Sequence, residues 1–123
     1  MSNSILEHLI LGTNNLIGVQ LTENYDDLNV TATRIDINLL HRYTGVRLVQ
    51  ISRVSPFTDG VSFAAGALQI NPAELTEDLT GLIGEVCRCV VTVTTDVEPS
   101  GVDFGGADSA QLLYVSIEQG ASI

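Results

Sequence analysis

Between Val86 and Gly106 the sequence reads VCRCVVTVTTDVEPSGVDFGG, and its first ten residues narrow the choice of secondary structure sharply. Cys87, Cys89, Val91 and Val93 recur at every second position, with Arg88, Thr92 and Thr94 between them. A period of two with heavy β-branching is the pattern of a strand buried on one face. The run Asp96-Val97-Glu98-Pro99-Ser100-Gly101 then supplies a turn. Proline fixes φ and ends the ladder, and glycine accepts a positive φ. The rest of the chain is expected to pair with this strand or pack over it.

Several segments repeat the same alternation. Ile35, Ile37 and Leu39 oppose Arg34, Asp36 and Asn38, which predicts a strand over about 30–40. Tyr43-Thr44-Gly45 turns the chain into a strand over 46–54, and Asp59-Gly60 marks the next turn. Residues 61–70 read as one strand with Gly66 as a bulge or close approach. Residues 16–21 and 110–117 read as further strands, with 118–123 as a tail. Residues 5–11 fit either a short helix, capped by Ser4 and Glu7, or a strand. Asn71 before Pro72, with Leu75, Leu79 and Leu82 following, predicts one short helix near 72–82. The expected fold is all-β: an antiparallel β-sandwich of about six to seven strands, with a barrel as the alternative. The chain is read as one domain, 1–123, with residues 1–15 as an arm that docks on the domain itself or on a neighbour.

Composition excludes some roles. The net charge is −10, with five arginines and no lysine. Such a chain is repelled by DNA and by anionic membranes, so neither nucleic acid nor membrane is an expected partner. No segment reaches spanning length, and Glu7 and His8 interrupt the apolar start, which excludes an ordinary signal peptide. Cys87 and Cys89 are read as reduced, buried, small hydrophobes made in a reducing cytoplasm. Arginine without lysine suits bidentate pairing with carboxylates.

Candidate chemistry is sparse. His8 and His41 are the only histidines, and neither stands in a nucleophile motif, P-loop, dinucleotide fingerprint or zinc-protease motif. An enzyme is not expected, and no cofactor is implied. The acidic loop resembles the first half of an EF-hand but has Ala107 where the bidentate acid belongs. A looser calcium site would draw on Asp96, Glu98, Asp103 and Asp108. For contacts with other proteins the candidates are Ile5, Leu6, Leu9 and Ile10 with Arg34, Arg42, Arg47 and Arg53.

Five segments together carry a resemblance. The strand with Thr-Arg-Ile-Asp-Ile is followed by Gly66-Ala67-Leu68-Gln69-Ile70. Then come Leu79–Gly84, the strand VVTVTTD, and Glu98-Pro99-Ser100-Gly101-Val102-Asp103-Phe104-Gly105. This order is similar to small β-sandwich structural proteins of tailed bacteriophages, over roughly 29–117; Thr94-Thr95 stands where those have an aromatic residue before the acid. The resemblance implies a virion protein made in the host bacterial cytoplasm, foremost a capsid decoration (cement) protein. A neck, head-completion or tail-associated subunit is the variant of that reading. Its partners would be major capsid or other virion proteins, with the chain homo-oligomeric or lattice-bound. A calcium- or carbohydrate-binding attachment module is the alternative of another class.

Overall fold

Strand β7 (Val86–Thr95) is bordered on both sides along most of its length. In the computed structural model, which describes residues 3–14, 16–20, 32–64, 67–96, 99–104 and 111–120, its residues alternate between half-buried and buried without a break. Along one edge it pairs antiparallel with β3 (Ala32–His41), from Thr95 beside Ala32 to Cys87 beside His41. The other edge is divided. Val86–Arg88 pair with β9 (Gln111–Gln119), and Val91–Val93 pair with the short β8 (Val102–Phe104) that returns from the Pro-Gly turn. Gly101 at that turn has φ 88°, and a Cβ there would come within 2.7 Å of the Thr92 methyl. Only glycine fits both demands.

The larger sheet runs β1-β9-β7-β3-β4, with β8 beside β7. At one edge stands β4 (Arg47–Val54), at the other β1 (Asn3–Leu11). The smaller sheet is β2-β6-β5, from Ile17–Gln20, Ala67–Ile70 and Val61–Ala64. Ile35, Ile37, Leu39, Ile51, Cys87, Cys89, Val91, Val93 and Ile117 of the larger sheet join Ile17, Val61, Leu68 and Ile70 of the smaller in one apolar cluster. Each such side chain removed from water contributes about 1.5–3 kcal/mol before chain entropy is counted. No helix of the described residues is long and apolar enough to cross a membrane.

The fold is all-β as expected, but its details differ from the sequence reading in four places. The described strands number nine rather than six or seven, and the larger sheet is mixed while the smaller is antiparallel. β1 pairs parallel with β9 from Asn3 beside Gln111 to Leu11 beside Gln119. That pairing settles residues 5–11 as strand, places Glu118 and Gln119 in β9 and not in a tail, and makes the supposed arm part of the sheet. The single strand expected at 61–70 is a hairpin, with Ala64 beside Ala67 and residues 65–66 outside the described residues. The helix expected near 72–82 is replaced by two 3-10 turns, Pro72–Glu74 and Thr80–Leu82. The Asn71 cap is real, its Oδ1 accepting from Ala73 N at 3.2 Å. The second turn has its own local competitor, since Asp78 Oδ1 accepts from Thr80 N at 3.0 Å and Thr80 Oγ1 at 2.6 Å. Such local bonds favour turns over a continuous helix.

Leu9 on β1 is 1% exposed. Leu9→Ala in the isolated chain should therefore lower its unfolding free energy by about 2–5 kcal/mol in urea titration. A loosely docked arm would leave the midpoint unchanged.

Candidate interaction surface

The β3–β4 connection is a tight turn built by its own polar groups. Gly45, at φ 74°, donates its N–H to His41 O at 2.8 Å, and His41 N–H donates to Val46 O at 2.8 Å. The His41 ring finishes the turn: Nδ1 accepts from Tyr43 N and Thr44 N, each at 3.3 Å. This histidine is a turn cap. Just beyond, the register slips. Leu39 faces Val49 but Leu40 faces Arg47, leaving Leu48 as the extra residue of a β-bulge.

The consequence is a tip crowded with side chains that have nowhere to go. Tyr43 is 78% exposed, Val46 60% and Leu48 40%. The Arg42 guanidinium carbon lies 4.7 Å from the Tyr43 ring centroid, within cation–π range. His41 and Tyr43 rings are 5.8 Å apart. Among the described residues no carboxylate forms an ion pair with Arg42 or Arg47. Glu85 lines a small cavity of about 120 Å³ beside Arg42 and Leu48 without pairing with either arginine.

Two other arginines are consumed internally. Arg34 Nε donates to Asp36 at 3.0 and 3.1 Å, and Ser52 Oγ donates to the same carboxylate at 2.5 Å. Burial pushes Asp36 up, but these two donors and the arginine's charge outweigh it and hold the carboxyl below its ordinary range. Arg53, whose side chain is 9% exposed, makes a bidentate pair with Glu77 at 2.7 and 2.9 Å. It also donates to the carbonyls of Ser52 at 2.8 Å, Thr58 at 3.2 Å and Asp59 at 2.9 Å. One guanidinium thus ties the end of β4 to the 57–60 loop and the 76–77 segment. The Arg53 hydrogen bonds, working against burial, hold Glu77 below the usual carboxylate range.

A cleft of about 240 Å³ opens beside this clasp. Leu16, Phe57, Asp59, Gln69 and Glu74 are among its lining residues. Gly60 is buried behind it at φ 90°, where a Cβ would strike Asn71 O at 2.8 Å.

Of the eight contact residues expected from sequence, Arg42 and Arg47 fall at this exposed tip. Leu9 is in the core and Ile5 packs against it, so neither is available for docking. Leu6, 50% exposed, lies with Ile10 on β1, at the opposite edge of the sheet. Arg34 and Arg53 are paired as above. Sequence reasoning named none of Tyr43, Val46 and Leu48 for contact with other proteins. The available signal was an aromatic next to an arginine in the turn between two strands, where side chains project into solvent.

Only part of the looser calcium site expected from sequence falls within the described residues. Glu98 and Asp108 lie outside the described residues. Asp103 accepts from Thr92 Oγ1 at 2.6 Å across the β7–β8 pair, while Asp96 is exposed at the end of β7. Among the described residues no three His, Cys, Asp or Glu side chains gather as a metal site. Cys87 and Cys89 are free and buried. Burial, followed by the charge of Glu85, pushes the Cys87 thiol up; burial, followed by Cys87, takes Cys89 to about 12.

Compared with family models, curated proteins and solved structures, the chain matches none.

Removing the clasp has a defined cost. Arg53→Ala should lower stability by about 1.5–3 kcal/mol, and Arg53→Lys should not restore it, because an ammonium cannot reproduce the fork. Because Glu77 is depressed in the folded state, its contribution is fully present above its ordinary value of 4.5 and is lost as pH falls through the folded value. The stability gap between wild type and Glu77→Gln, read by urea titration across pH, should therefore be largest near neutrality and close on acidification. A thiolate-specific reagent at about pH 8 should label neither cysteine in the folded chain and both after unfolding.

Proposed function

We propose that this chain is a structural subunit of a tailed-bacteriophage particle. In this reading it is a capsid decoration (cement) protein that acts by contact with the major capsid or other virion proteins. The observation that carries the reading is the β3–β4 tip. On a chain of net charge −10, it carries two arginines without ion-paired carboxylates among the described residues and an exposed tyrosine against which one of them, Arg42, lies. Tyrosine and arginine concentrate binding energy at protein interfaces. A short hydrogen-bonded turn presents them with little ordering cost on association. The two sheets, sharing one apolar cluster, are read as an open β-sandwich that acts as a stiff block carrying that tip.

A neck, head-completion or tail-associated subunit is the companion reading. It is favoured by a second and unlike surface, the Asp59–Glu74 cleft, because a subunit with two dissimilar contact surfaces suits repeated assembly.

Particles produced from the genome that encodes the chain should contain it at a fixed ratio to the major capsid protein, by mass spectrometry of gradient-purified material. Arg42→Glu with Tyr43→Ala should deplete it from particles while its melting temperature stays at the wild-type value. A chain absent from purified particles removes the reading.

A further inference from the structure

We infer that copies of this chain join head to tail, the β3–β4 tip of one inserting into the Asp59–Glu74 cleft of the next. The inference rests on the structural-subunit reading above and names one partner, a second copy.

The two surfaces are complementary in chemistry. The cleft, at about 240 Å³, falls below the roughly 300–1,000 Å³ of small-molecule sites, so a side chain suits it better than a ligand. Leu16 and Phe57 offer it apolar surface, and Asp59 and Glu74 offer it negative charge. Among the described residues neither acid makes an ion-pair contact, and only Asp59 feels a nearby cation, the Arg53 guanidinium already committed to Glu77. The tip supplies the converse, a guanidinium held over an exposed ring, with a second arginine, Arg47, opening the strand that follows. Docking would set the Tyr43 ring against the apolar lining and bring Arg42 to the two carboxylates. Anions are repelled by such a cleft, whereas a basic and aromatic knob is selected by it.

They are also complementary in position. The tip precedes β4 and the cleft follows it. The strand has eight residues, which at about 3.3 Å each puts the surfaces about 25 Å apart at opposite ends of β4. A knob and socket so placed cannot satisfy each other within one molecule. They form a heterologous contact that closes into a ring or continues as a file, depending on the rotation between copies. Arg53 holds the carbonyls of Thr58 and Asp59, so the socket wall is fixed before a partner arrives.

The test uses two variants of the full chain. The tip variant is Arg42→Glu with Tyr43→Ala. The cleft variant is Asp59→Asn with Glu74→Gln; asparagine is chosen because residue 59 has φ 54°, a region asparagine tolerates. Thermal melting confirms that both fold. In sedimentation velocity and native mass spectrometry at about 50 mM salt, wild type should form species larger than a dimer, and fewer of them at about 500 mM. Each variant alone should bind itself at least about tenfold more weakly. An equimolar mixture should stop at a one-to-one heterodimer, because each copy then keeps one working surface. A wild type that stays monomeric at all concentrations overturns the inference. So does a cleft variant that associates as wild type does, since that means tip-to-tip contact. Neither result touches the particle reading, which stands or falls on the chain's presence in purified particles.

Discussion

The inward row of β7 is the constraint on which the fold depends. Cys87, Cys89, Val91, Val93 and Thr95 are buried, and β3, β8 and β9 all take their register from that strand. A slip of one residue would send Arg88, Thr92 and Thr94 inward and turn the whole row to solvent. The penalty for that error is many kcal/mol of lost burial, far more than any surface pairing could offset. Register therefore passes outward from β7, to β4 through β3 and to β1 through β9. The position of every exposed residue on the larger sheet follows from it.

Charge is arranged around this frame in two ways. Arg34 and Arg53 each meet a carboxylate of their own chain. Arg53 in particular acts as a joint, gathering three carbonyls and Glu77 at the end of β4. A guanidinium suits this because its fork donates in several fixed directions at once. Arg42 and Arg47, at the other end of the same strand, meet no such partner among the described residues. The strand thus has one end closed by hydrogen bonds and one end open to contact, and both ends are rigid for different local reasons.

Much of this was legible in the sequence wherever local pattern and burial agree. The alternation over Val86–Thr95 marks β7 to its ends, and the Asn71-Pro72 cap and the Gly101 turn follow from backbone chemistry alone. The hairpin at 61–70 was not legible, because its two four-residue strands meet at small apolar residues without a polar turn signal. The choice for residues 5–11 was undecidable locally: Ser4 and Glu7 fit a capping box, and only pairing with β9 selects the strand. Leu75, Leu79 and Leu82 have helical spacing, yet Leu75 is extended at ψ 138° and all three pack in or against the core from turns. The interaction surface was half legible. Arg42 and Arg47 were named, but the bulge that frees Leu48 is a property of register and leaves no mark in composition.

The parallel seam between β1 and β9 also sets an order of events. Its partners are about a hundred residues apart in the chain, so closing that loop carries a large entropic cost that no local contact offsets beforehand. During synthesis β1 is made before its partner and waits, with Ile5 and Leu9 unsheltered, until β9 has left the ribosome. An apolar strand made early is therefore covered only once β9 has been made, and until then it is open to aggregation.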